Sequence, residues 1–266
     1  PADGPLNRLV AGNSQMPNSN QKTRRERLEE REDAIIAAAH DEFVENGFEG
    51  AKIAGIARRA GVAEGTLYLY FRNKSALLGA VVGAFYQRLT TGAAEGVALR
   101  HATEDRLAFL ARHHLASCLQ EWAILALAMP ALYQAGNYRN SEYFGFNRNY
   151  VAVFDGVVRD GIARGDIRSD LPMHLMRDMF YGTLEHAVRT TMVREPAAPG
   201  DQDVGALADQ VMVLVRPALG LEGGRRTAES SPDLGTIARR LEAVASRLEA
   251  SGRPVSQSAG PTRPPD

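Results

Sequence analysis

Between residues 31 and 219 the apolar positions of this chain recur at three- and four-residue steps. No stretch alternates at the two-residue step of a strand, so the pattern predicts an all-α protein. Ile35, Ile36, Ala39, Phe43 and Val44 predict a buried helical face over about 31–46, closed by Asn46-Gly47, with Phe48 plugging a small core. Ile53, Ile56 and Ala57 predict a short helix over 52–59, and Gly61 suits the left-handed position just past its end. A second short helix starts near Ala63. With Leu67 and Phe71 turned inward, it directs Gly65, Thr66, Tyr68, Leu69 and Arg72 outward. From Lys74 a long helix follows, with Ser75 as its expected cap, carrying Leu77, Leu78, Val81, Val82 and Phe85 inward. Residues 103–120, 122–134, 142–164, 171–193 and 203–219 continue as helices, with breaks at Gly136-Asn137, at Gly165-Asp166 and in the Pro-rich loop after Glu195.

The ends of the chain read differently. Residues 1–21 intersperse Pro, Gly, Asn, Ser and Gln without a sustained period and are expected to be a flexible extension. Beyond a polar linker, Ser231-Pro232 reads as a helix start and Gly252 with Pro254 as its stop. Between them Leu234, Ile237, Leu241, Val244 and Leu248 repeat like the seam of a coiled coil. Four units are therefore expected: an extension over 1–21, a first domain over 22–76, a second over 77–220, and a linker with an amphipathic helix over 221–266.

Composition adds mainly exclusions. The 266 residues are 44% hydrophobic and 24% charged, as in ordinary globular chains. A net charge of -1 gives no global basic signal, so any nucleic-acid role must rest on local charge. The only cysteine, Cys118, excludes an internal disulfide and reads as a small core residue. The longest apolar run, Ala123 to Tyr133, is about half the ~20 residues that a membrane span requires, and no signal peptide opens the chain. A cytoplasmic protein with no membrane partner is expected. There is no nucleophile elbow, phosphate loop or HExxH pair, so neither an enzyme nor a cofactor is expected. His113 and His114 face different directions, and His174 with Asp178 lacks further ligands, so no metal is expected either.

Charge becomes informative locally. Between Ala51 and Lys74 stand Lys52, Arg58, Arg59, Arg72 and Lys74 against Glu64 alone. Helix, tight turn with Gly and helix is the arrangement that sets a second helix into a DNA major groove; a plain helical hairpin with a solvated basic face is the alternative. Upstream, Arg24 and Arg25 with Lys22 would form an arm reaching a minor groove or phosphates, or else a solvated helix face with Glu-Arg pairs.

The stretch GVAEGTLYLYFRNK, preceded by IAGIARRA and IIAAAHDEFVENGFEG, resembles the DNA-binding domain of the tetracycline-repressor (TetR) family of transcriptional regulators over roughly residues 31–80. The resemblance implies that Thr66 and Tyr68 face DNA from the recognition helix, that Tyr70 and Lys74 hold phosphates, and that Gly65 lets the backbone approach closely. Where family members often carry Ser or Thr, this chain has Ala51 and Lys52. The usual hydroxyl cap is therefore missing, and Lys52 becomes a candidate phosphate contact. Glu64 suits a helix N-terminus but is acidic close to where phosphates would lie.

For residues 77–220 the resemblance implies a helical effector-binding and dimerisation domain whose last two helices pair across a twofold axis. The apolar surplus there agrees, and the candidate interface residues are Gly182, Leu184, Val188, Val211, Leu214 and Val215. Trp122, Met129, Tyr133, Phe144, Tyr150 and Phe154, with Met176 and Phe180, are candidates to line an apolar ligand site, although most of such residues serve as plain core. The run from Asp155 to Met192 is loosely similar to family members that control fatty-acid metabolism and respond to acyl-coenzyme A; an aromatic drug or metabolite is the alternative effector. The implied function is a homodimeric repressor of double-stranded operator DNA, released by an apolar small molecule. Its rivals are a helical enzyme and a nucleoid-type protein that binds DNA without sequence preference.

Overall fold

Thr23 opens the first helix through a reciprocal cap: its hydroxyl accepts the Glu26 N–H, and the Glu26 carboxylate accepts the Thr23 N–H at 2.7 Å. This start precedes the predicted one and makes α1 run Arg24–Gly50. In this computed structural model, residues 23–134, 141–194 and 201–221 are described, those at 129–134 and 201–202 by their backbone alone. They form α1, then α2 (Ile53–Arg59), α3 (Glu64–Tyr70), α4 (Lys74–Ala98), α5 (Thr103–Gln120), α6 (Trp122–Gln134), α7 (Glu142–Arg164), α8 (Met173–Arg194) and α9 (Asp201–Leu219). No strand occurs among the described residues, and none of their helices is long and apolar enough to cross a membrane. The predicted extension over 1–21, Lys22 and the predicted helix over 231–252 lie outside the described residues.

Two apolar cores organise the helices. The smaller gathers Ile35, Ala39 and Phe43 of α1, Ile56 and Ala57 of α2, Leu67 of α3, Phe71, and the first turns of α4 from Leu77 to Val82. It is completed from a distance by Ile124 and Ala128 of α6. Phe48 is half-buried and stacks on Phe43 at 5.9 Å between ring centroids. Val44 is exposed, contrary to its predicted burial, because one residue beyond Phe43 the helix has turned about 100° away from the inward stripe. Asn73, not Ser75, caps α4: its Oδ1 accepts the Ala76 N–H at 2.7 Å.

The larger core surrounds α5, which packs against α4, α6, α7, α8 and α9. Its approach to α4 depends on Gly96, since a Cβ there would overlap the Phe109 ring, whose face is covered by the Arg100 guanidinium at 4.0 Å. Thus α4 spans both cores, leaving the first at Val82 and entering the second at Phe85 and Leu89.

Candidate nucleic-acid interface and effector site

The turn between α2 and α3 is built by the backbone. Val62 N–H donates to the Ala57 carbonyl at 3.0 Å and Gly61 N–H to that of Arg58 at 3.3 Å, while Gly61 takes φ +66°. This pair of bonds closes the helix end, and it requires a left-handed residue that a side chain would strain. At the other end of α2 no side chain of the N-cap residue Lys52 closes the helix. Glu42, buried on α1, braces this end from outside: its Oε1 accepts the N–H of Lys52 itself at 3.2 Å, and its Oε2 pairs with Arg59 Nε at 3.2 Å. Gly55 makes room, since a Cβ at that position would come within 2.9 Å of the carboxylate. Arg59, exposed like Lys52 and Arg58, is further held by Glu45.

On α3, Leu67 is fully buried and anchors the helix, while Tyr68 is 52% and Leu69 85% exposed. Gly65 and Arg72 are also exposed, with Thr66 and Tyr70 half-buried beside them. A projecting aromatic, a projecting leucine and a bare glycine form a face able to meet base edges and thymine methyl groups. Lys74 differs from its expected disposition. Its Nζ donates to the carbonyls of Glu49 at 3.2 Å and Ala51 at 3.3 Å and lies 4.7 Å from the Phe48 ring centroid. It braces the end of α1, which leaves one of its three donors for anything else. Arg24 and Arg25 stand in the first turn of α1 rather than in an extended arm, and Arg25 pairs with Glu29 at 2.7 Å.

A polar link that sequence reasoning missed joins the two cores. His40 on α1 meets Glu121, between α5 and α6, at 2.8 Å, and Arg88 of α4 meets the other oxygen of that carboxylate at 3.0 Å. Burial opposes charging His40, but its bonds to Glu121 and Asp41 outweigh this and raise its pKa above 6.5.

Inside the second core the candidate ligand residues separate. Tyr150, Phe154, Met176 and Phe180 are buried together, with Phe154 stacked on Phe180 at 4.7 Å. Trp122 packs against the edge of this core, and Phe144 is half-buried on the first turn of α7. The side chains of Met129 and Tyr133 lie outside the described residues. Polar groups missed by the sequence reading stand among the buried four. His114 Nδ1 lies 3.2 Å from the Tyr150 hydroxyl, and Cys118 Sγ lies 3.7 Å from His114 Nε2. Burial, and then the neighbouring His113, lower the His114 pKa to about 4, so the ring is neutral; burial, and then Glu185, raise that of the Cys118 thiol. The adjacency of His113 and His114 was visible, but their opposed roles were not, since His113 stacks on Phe109 and contacts the Leu89 carbonyl at 2.9 Å. Among the described residues no group of three or more His, Cys, Asp or Glu is arranged to hold a metal.

The predicted interface is corrected in part. Leu184, Val188, Val211 and Val215 are buried within one chain, in the core where α8 and α9 pack with α5. Their stripes are used inside the protomer and cannot also face a second copy. Gly182 is exposed, as is Leu214 at 63%, and Val213 accompanies Leu214 on the outer side of α9.

Comparison with known proteins bears on all of this geometry. A family model described as "Bacterial regulatory proteins, tetR family" matches residues 35–81, and one described as "YsiA-like protein, C-terminal region" matches residues 83–217. The chain belongs to the TetR family. This TetR-family chain is similar to the fatty acid metabolism regulator protein of Bacillus subtilis, 28% identical over 185 residues that span 68% of the chain and 91% of the relative. In structure it resembles the transcriptional regulator FadR from Bacillus subtilis in complex with stearoyl-CoA, with a TM-score of 0.60 and 25% identity, covering 71% of this chain and 98% of that one. The fatty acid degradation regulator FadR from Bacillus halodurans is similar at 26% identity and a TM-score of 0.59, covering 73% and 99%. A third model, "CAP N-terminal conserved motif", matches residues 235–266, outside the described residues. The TetR-family fold is all-helical, with the helix-turn-helix at α2 and α3 followed by a helical second part, and its members act as transcriptional regulators.

Proposed function

We propose that this regulator binds a palindromic operator in double-stranded DNA as a homodimer, most simply as a repressor, and releases it when an apolar small molecule enters the second domain. The observation that carries the DNA reading is the α3 face, where Tyr68 and Leu69 project from a helix whose other side is anchored by Leu67. Thr66 and Gly65 complete the reading face. Lys52, Tyr70, the remaining donor of Lys74, and Arg24 and Arg25 at the start of α1 are the candidate phosphate contacts. In the homodimer, the outer sides of α8 and α9 with Gly182 and Leu214 would pair across the twofold axis. The working division is a DNA-binding domain over 22–76 and an effector and dimerisation domain over 77–220, acting in the cytoplasm.

The similarity to FadR in complex with stearoyl-CoA makes a long-chain acyl-CoA the first effector candidate. Tyr150, Phe154, Met176 and Phe180, with Trp122 and Phe144 at the margin, are the residues proposed to meet it, and Met129 and Tyr133 on α6 remain candidates. The test is a fluorescence-anisotropy titration of protein bound to a genomic fragment that it retains. Stearoyl-CoA at saturation is expected to weaken DNA binding tenfold or more; undiminished affinity across acyl chains of every length would overturn the acyl-CoA effector.

A further inference from the structure

The buried polar cluster of the second core has one donor left over. Neutral His114 offers one acceptor and one N–H. With the Tyr150 hydroxyl donating to Nδ1 at 3.2 Å, Nε2–H faces the Cys118 sulfur at 3.7 Å, and both ring nitrogens are accounted for. Tyr181 of α8 closes this cluster, its ring centroid 5.4 Å from His114, 5.3 Å from Tyr150 and 5.2 Å from Phe180. Only 6% of the residue is exposed, and its hydroxyl, sealed from solvent, has no hydrogen-bond partner. The Tyr150 hydroxyl is its near neighbour and acts on it both through charge and as a hydrogen-bonding group, but the two stand outside the geometry of a formed hydrogen bond. A native core seldom leaves an O–H unbonded, because an unmade bond there is costly, so the group is open to an incoming acceptor.

The surroundings define that partner's chemistry. Phe154, Phe180, Met176 and Leu184 are apolar walls, His114 carries no charge, and the cation nearest in sequence, Arg177, is held by Asp155 through Nε at 3.0 Å. An anion at Tyr181 would be desolvated without a counter-charge, and Glu185 adds negative potential at the neighbouring Cys118. Resting on the small-molecule reading above, we infer that Tyr181 is the polar anchor of the effector site. Its hydroxyl donates to a neutral carbonyl oxygen, so that the effector is an apolar chain or ring bearing an ester, thioester, ketone or amide. A free carboxylic acid is a poor occupant.

Calorimetric titration of the full chain and of Tyr181→Phe with three probes tests this: stearoyl-CoA, its thioether analogue S-octadecyl-CoA, which lacks only the carbonyl, and stearic acid. Native protein is expected to bind the thioester about tenfold more tightly than the thioether and more tightly than the acid. Tyr181→Phe, which removes an unbonded hydroxyl and should melt no lower than the native protein, is expected to bind thioester and thioether equally. Equal binding of the two by native protein, a preference retained in Tyr181→Phe, or stearic acid bound as tightly as the thioester would each overturn the anchor. The native-protein comparison decides the matter even if the variant does not fold. Failure of all three probes to bind would overturn the long-chain effector of the preceding section and the anchor with it, whereas binding without carbonyl preference removes the anchor alone.

Discussion

Position 52 opens α2 with a lysine where a hydroxyl would ordinarily cap, and Glu42 ties this end to α1 by accepting the Lys52 N–H while also pairing with Arg59. Replacing Glu42 by Ala leaves the Lys52 N–H and the guanidinium without that partner, and is expected to lower stability by about 1–3 kcal/mol in chemical denaturation. Tyr68→Ala provides the contrast. Its side chain projects from α3, so stability should stay within about 0.5 kcal/mol, while affinity for the operator falls about tenfold and affinity for scrambled DNA falls less. Full stability in Glu42→Ala would remove the bracing role, and native operator affinity in Tyr68→Ala would remove the α3 reading face. Gly61, Leu67 and Phe71 were legible in sequence because each satisfies a local rule of turn or period. Glu42 was not, because an acid within a helical stripe reads as a polar interruption until a partner ten positions away in the chain is brought beside it. The Thr23 and Glu26 cap obeys a sequence signature, but the mixed charges around it read equally well as an arm.

Among the elements, α4 and α6 carry the connection between the two cores: α4 runs through both, and Ile124 and Ala128 of α6 complete the smaller one. Helix existence and order were legible from periodicity alone; which neighbour covers an apolar stripe was not. That is why Leu184, Val188, Val211 and Val215 looked available for a second copy, although the core of one chain already buries them. The His40–Glu121–Arg88 contact crosses the same junction, with Asp41 as the other acid facing His40. Because the folded pKa of His40 is raised above 6.5, its contribution is fully present below about pH 6.5 and is lost as pH rises through the folded value. Thermal midpoints measured across this range should therefore fall for the native chain relative to His40→Gln, in which the difference disappears. Parallel pH profiles for the two proteins would show that the link does not hold the charged imidazole.

At the scale of the whole molecule, a net charge of -1 supplies no general attraction to nucleic acid, so the proposed DNA binding rests on a small oriented surface. The surface proposed for it is the α2–α3 side, with Lys52 and Arg58 exposed beside the Tyr68 face. A homodimer would present it twice, in half-sites separated by about one turn of B-DNA, roughly 34 Å. The most direct measurement is to capture genomic fragments on the purified full chain, sequence them, and compare the recovered site with a scrambled duplex at one fixed salt concentration. A shared pseudo-palindrome bound about 1,000-fold or more tighter than the scrambled duplex is the result expected of an operator-binding regulator. Fragments with no common sequence, bound no better than the scrambled duplex, would contradict it.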